Sequence, residues 1–109
     1  MVHTGITDHA RLRLMQRSRL PLHVLTDMID KGNMSIWAPT RDIKEHILIY
    51  SRLDERWYVL IRDIISGCIV TVLPETIHDS SFIKIKESDK KSAYDLANKV
   101  RVRVLNLLV

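Results

Sequence analysis

The sequence predicts an α+β fold with two N-terminal helices, a four- to five-stranded antiparallel sheet and a C-terminal helix. Three observations predict it. Up to Gly32, apolar residues recur at helical spacing, interrupted only by Pro21. From Met34 to Leu73 the chain is rich in β-branched and aromatic residues and punctuated by short turn signals. After Ser88 the helical spacing returns.

Thr7 and Asp8 suit the start of a helix, and the run HARLRLMQRS that follows has no Gly, Pro or β-branched residue. Ala10 and Leu14 are expected to anchor this helix. Leu12 and Met15 point elsewhere, so it is expected to be covered on more than one side. Pro21 fits the first turn of a second helix, PLHVLTDMIDKG, whose apolar face is Leu22, Leu25, Met28 and Ile29, with Gly32 placed to stop it. MSIWA is a short strand ended by Pro39. EHILIYSRL and RWYVLIRDII are longer strands joined by a turn at Asp54 and Glu55, and Ser66–Gly67 turns the chain into CIVTVLP. Residues 75 to 81 read as a polar loop. SFIKIKE alternates Ile83 and Ile85 against Lys84 and Lys86, as a half-exposed strand does. Consecutive strands with short turns make a meander. Ser88 caps the last helix, whose stripe runs through Ala93, Leu96, Ala97, Val100, Val104, Leu107 and Leu108.

The 109 residues make one domain, 1–109, in which 88–109 form a basic amphipathic helix. A hydrophobic share of 46% with 28% charged residues is a globular profile, and 3 Gly and 3 Pro leave little for flexible linkers. The lone Cys68 lies in an apolar run and reads as an inert thiol in a reducing, cytoplasmic setting. No apolar stretch reaches the roughly 20 residues that span a bilayer, and the N-terminus lacks a signal-peptide pattern, so no membrane association is expected. The net charge of +4 is unevenly spread, with excess positive charge in residues 1–20 and 88–109 and a slight negative excess between. Either a phosphate backbone or plain water can face such segments.

The first helix carries the most chemistry. His9, Arg13 and Arg17 recur every four residues along one stripe, with Gln16 on the same side. Stacked guanidinium groups repel unless an anion lies between them, so the stripe is either a phosphate site or a wet helix face. In the sheet, His46, Tyr50 and Arg52 share one face of their strand, and Arg56, Tyr58 and Arg62 share one face of the next. If the two faces coincide, the sheet presents a basic, aromatic surface of the kind that stacks bases and holds phosphates; otherwise these are ordinary surface residues. Arg11, Arg52, Lys84 and Lys86 are further candidates for nucleic-acid contact. Thr71 reads first as a strand former. His3, His23 and His78 have no metal-ligand spacing, and no metal or cofactor is expected. Trp37 and Trp57 are expected in the core.

The segment His9-Ala10-Arg11-Leu12-Arg13-Leu14-Met15-Gln16-Arg17 resembles the H-A-x-x-R-M-x-x-R signature of a bacterial and phage family of toxin-like domains. That family, first catalogued as a domain of unknown function, is grouped with RelE-like toxins in the barnase–EndoU–colicin–RelE fold. The resemblance runs from about residue 6 to residue 74, with Leu20–Gly32 similar to the family's second helix and Thr71-Val72 similar to its late T-V strand. Ser18 and Arg19 stand where the family has Gly and an apolar residue, and Leu14 stands for Met. Residues from Ser88 onward have no counterpart in it.

The resemblance implies metal-independent RNA cleavage by attack of a ribose 2′-hydroxyl on the adjacent phosphate. His9 would serve as base or acid, and Arg13, Arg17 and Arg62 would stabilise the phosphorane. Tyr58 would orient a base or donate a proton, and Thr71 would hydrogen-bond the phosphate. The competing expectation is a non-catalytic RNA- or protein-binding module, such as a phage- or plasmid-type inhibitor, or an interaction subunit. Its partner would be RNA, an antitoxin or another protein, or a second copy docked through the C-terminal helix, whose LNLLV end is too apolar to leave in water.

Overall fold

The computed structural model describes residues 5–30, 35–36, 44–82 and 84–108, with the side chains of 30, 35–36, 81 and 99–108 outside the description. The chain forms β1 (Gly5–Ile6), α1 (Asp8–Arg17), α2 (Leu22–Asp30), β2 (Ser35–Ile36), β3 (Lys44–Ser51), β4 (Arg56–Asp63), β5 (Cys68–Pro74), α3 (Glu75–Ser81) and α4 (Glu87–Leu108). This is the α+β architecture read from the sequence.

The sheet order is β1-β5-β4-β3-β2. The β2–β3, β3–β4 and β4–β5 pairs are antiparallel, but β1 runs parallel to β5 through Gly5–Cys68 and Ile6–Ile69, so the sheet is mixed rather than purely antiparallel. A Cβ on residue 5 would lie 2.8 Å from Cys68 Sγ, a separation only glycine avoids. The β4–β5 register slips at Ile61/Arg62, a bulge that keeps both Ile69 and Val72 in one core.

The sheet is covered on both faces. Ala10 and Leu14 of α1, Leu25 and Ile29 of α2, and Leu20 between them pack on Ile47, Ile49, Tyr58, Leu60, Ile69 and Val72. On the other face, Leu48, Val59, Ile85 and Ala93 form a second core, with Trp57 against it. Each large apolar side chain removed from water contributes about 1.5–3 kcal/mol. Trp57 Nε1 donates to the Lys90 carbonyl at 2.9 Å, the Lys90 ammonium stands 4.4 Å from the Trp57 ring centroid, and Tyr50 meets both Trp57 and Tyr94 edge-on at 4.8 Å. These contacts fasten α4 to β3 and β4.

Thr7 caps α1 as its sequence suggests, accepting from the Ala10 N–H at 3.1 Å. Pro21 lies just ahead of α2, where its carbonyl accepts from Val24 and Leu25. Several expectations need correction. Leu12 and Met15 are uncovered, because α1 turns Ala10, Leu14 and Arg17 toward the sheet. Strand β4 stops at Asp63, whose carboxylate accepts from Ile65 and Ser66 N–H and turns the chain, leaving Ile64 and Ile65 exposed ahead of Gly67 at φ 74°. Residues 75–81 are helix rather than loop. Lys84 to Lys86 are not strand, since the Ile85 N–H bonds the Asp79 side chain at 3.1 Å instead of a neighbouring strand. Helix α4 starts at Glu87, which puts Ser88 in its first turn. Trp37, Pro39, Gly32, His3 and Ile83, and the side chains of Val100, Val104, Leu107 and Leu108, lie outside the described residues.

Candidate functional site

Helix α1 lies along the edge of the sheet beside β5. At its start the Thr7 N–H donates to the Ile69 carbonyl at 2.9 Å, and at its end Arg17 Nη1 donates to the Val72 carbonyl at 2.6 Å. Beyond Ile69, β5 has no strand on this side among the described residues, so Arg17 satisfies a backbone acceptor that would otherwise be open to pairing. Tyr58 reinforces the contact from below. It is 2% exposed, and its hydroxyl donates to the Arg17 carbonyl at 2.5 Å. Burial, then the nearby Asp54 carboxylate, pushes the Tyr58 phenol above its ordinary pKa, against opposing effects of Ser18 and Arg56.

Asp54 ties the end of α1 to the β3–β4 turn. Its carboxylate accepts from the Arg19 N–H at 2.9 and 3.1 Å, from Ser51 Oγ at 2.7 Å and from Ser18 Oγ. Burial alone would raise this carboxyl's pKa, but the bonds from Ser18, Ser51 and Arg19 outweigh it and hold the group below the usual carboxylate value.

These contacts decide which sequence-predicted residues can meet. Arg17 and Tyr58 are brought together, but both are tied into backbone acceptors. Arg62 is paired across the strands with Glu45 through Nε and Nη2. Thr71 stands opposite Ile61, on the sheet face away from the α1 core that holds Leu60 and Val72. The two polar strand faces do not coincide either. Tyr50 pairs with Trp57 and Ile49 with Tyr58, so His46 and Tyr50 lie on the α4 side while Tyr58 lies under α1. Arg52 is half-buried in the β3–β4 turn, and Lys84 and Lys86 are exposed ahead of α4, on different elements from α1.

What α1 offers to solvent is different. Asp8, His9, Arg11, Leu12, Met15 and Gln16 are exposed, and so is Arg19 just past its end. Arg13 is half-buried, with Nη1 donating to Gln16 Oε1 at 3.1 Å. Leu12 and Met15 are 50% and 74% exposed, side by side on the outermost line of the helix.

A pair that sequence reasoning missed lies on the opposite face. His46 Nδ1 and His78 Nε2 are 2.7 Å apart, and Phe82 stacks on the His78 ring. His78 has no exposed surface, although its polar neighbours suggest a loop. The available signal was the alternation in EHILIYS, which sets His46 on the same face as Leu48. Among the described residues, no three His, Cys, Asp or Glu side chains are placed to hold a metal ion, and no helix is long and apolar enough to cross a membrane. Comparison with protein-family models, curated proteins and solved structures gives no match to this chain.

Proposed function

We propose that the protein is a non-catalytic binding module that docks a partner on the outer face of α1. The observation that carries this reading is the division of α1's side chains. Of those the resemblance assigns to catalysis, Arg17, Tyr58 and Arg62 are held in internal bonds, while His9 is exposed and Arg13 is half-buried beside Gln16. Exposed alongside His9 are Asp8, Arg11, Leu12, Met15, Gln16 and Arg19. A general acid has to reach the atom it protonates, and a phenol donating to a buried carbonyl beneath a helix does not. A fold of this kind can host binding as readily as catalysis. The single Cys68 and the absence of a spanning helix among the described residues are compatible with the proposed cytoplasmic setting.

The second reading is the metal-independent ribonuclease that the H-A-x-x-R motif suggests. It is favoured by one observation: His9 is exposed one helical turn from Arg13 on the same flank of α1. Incubating the purified protein with total RNA in EDTA separates the two. The binding module leaves RNA intact. Cleavage that disappears in His9→Ala and Arg13→Ala, with the fold retained by circular dichroism, overturns it in favour of the nuclease.

A further inference from the structure

We infer that the partner of α1 is an acidic amphipathic protein helix rather than a nucleic acid, an inference that rests on the binding-module reading. The outermost line of α1 runs through Asp8, Leu12 and Met15, acidic at its N-terminal end and apolar beyond it. Leu12 and Met15 stand at its centre, Arg11 borders them on one side, and His9, Arg13 and Gln16 on the other. Arg19 lies beyond the C-terminal end, and Asp8, the lone acidic residue of the helix, stands one turn before Leu12, so the acidic groups of the partner face the Arg11–Arg19 part of the surface. Just past the helix, the Asp54 carboxylate is engaged by Ser18, Ser51 and the Arg19 backbone.

A phosphate backbone would engage the arginines but gain nothing from an isobutyl group and a thioether between them. Nucleic-acid surfaces that contact bases interleave cations with several aromatic rings, and α1 has no Phe, Tyr or Trp, its one ring being the His9 imidazole. An amphipathic helix answers both parts of the surface. Its apolar residues at i, i+3 and i+4 would cover Leu12 and Met15, and flanking Glu or Asp would face the arginines. Methionine suits such a surface because its unbranched side chain adapts to the shape laid against it. The charge complement would speed encounter and fix orientation, while the apolar strip supplies hydrophobic burial. So short a strip defines a small, readily reversible interface.

The test is a titration of the ¹⁵N-labelled full chain, followed by amide chemical shifts, with four probes. These are a synthetic Leu/Glu amphipathic helix, the same peptide with Leu replaced by Ser, the same peptide with Glu replaced by Lys, and a single-stranded RNA 12-mer. The Leu/Glu peptide should shift resonances along 8–19, and the Ser and Lys versions should not. Its affinity should fall at least tenfold in Met15→Glu, in Leu12→Ser/Met15→Ser, and in Arg11→Ala/Arg19→Ala. All these positions are exposed, and circular dichroism checks each variant. Absence of α1 shifts with the Leu/Glu peptide overturns the inference. So does RNA binding at α1 that Arg11→Ala/Arg19→Ala abolishes and Leu12→Ser/Met15→Ser leaves unchanged, although the binding-module reading survives that result. RNA cleavage dependent on His9 instead removes the reading beneath it.

Discussion

His46 Nδ1 lies 2.7 Å from His78 Nε2, joining β3 to α3 inside the protein. The Asp79 carboxylate, 3.5 Å from His78 Nδ1, favours the tautomer with its proton on that nitrogen. His46 Nδ1–H then donates to His78 Nε2. The same Asp79 oxygen accepts the Ile85 N–H at 3.1 Å, so the network extends from the sheet to the segment that leads into α4.

Acid should loosen this network. Burial lowers the pKa of both imidazoles, His78 lowers that of His46 further, and Asp79 partly opposes the effect on His78. Both folded values therefore lie below the unfolded value of about 6.5, and the unfolded chain binds more protons between the two. The stability contributed by the neutral pair is fully present above about pH 6.5 and is lost as pH falls through the folded values. Urea midpoints measured from pH 8 to pH 5 should decline across this window. The double variant His46→Leu/His78→Leu should decline markedly less. An equal slope in both proteins would assign the acid sensitivity to other groups.

Asp54 predicts a second acid effect in a lower window. Its carboxyl is held below the usual value, so its contribution is complete above about pH 3.9 and is lost as pH falls through the folded value. Asp54→Ala removes the acceptor for the Arg19 N–H and for the Ser18 and Ser51 hydroxyls. Hydrogen bonds to a charged group contribute about 1.5–3 kcal/mol, so the loss should be about 2–3 kcal/mol at pH 7. Because a domain of this size loses about 4–8 °C per kcal/mol, calorimetry should record a Tm lower by about 10–20 °C. A drop of only a few degrees would mean that water replaces the carboxylate at low cost.

The fold was largely legible because its signals are periodic. Ala10 and Leu14 and the Leu25–Met28–Ile29 face of α2 lie as their spacing dictates, and β3 and β4 are strands where the sequence reads them. The site was less legible because alternation within one strand does not say how two strands register. Reading Tyr58 with Arg56 and Arg62 suggested a polar face, yet Leu60 lies on that same side and α1 covers it. Arg17 belonged to a cationic stripe in sequence, but the nearest acceptor in space is the Val72 carbonyl. Short helices such as α3 give no such period, since 7 residues make barely two turns.

Tyr58 and Arg17 should behave as supports of the fold rather than as reacting groups. Tyr58→Phe leaves the Arg17 carbonyl without its donor, and Arg17→Met does the same to Val72. Each should cost about 1–3 kcal/mol in urea unfolding. Neither should weaken binding of the Leu/Glu peptide in the folded protein, because both side chains lie on the sheet side of α1 and not on its outer line. By contrast, Leu14→Ala should cost about 2–5 kcal/mol, since it opens a cavity where α1 meets the sheet. A binding defect in folded Tyr58→Phe would place the phenol in the functional surface after all.

The close approach of β1 to β5 supplies a test of the parallel pair. Alanine at position 5 would bring its Cβ to 2.8 Å from Cys68 Sγ, so one strand must shift or the thiol must rotate. Overpacking of this kind costs about 1–3 kcal/mol. Gly5→Ala should therefore destabilise the protein by that amount, and amide exchange should quicken at Thr7, whose N–H bonds Ile69 next along the edge. Cys68→Ala removes the obstructing sulfur, so Gly5→Ala should cost less in that background than in the native chain. The difference is the coupling energy of a double-mutant cycle, expected at about 0.5–2 kcal/mol for residues in contact. Strict additivity would locate the cost of Gly5→Ala in the backbone of residue 5 rather than in its contact with Cys68.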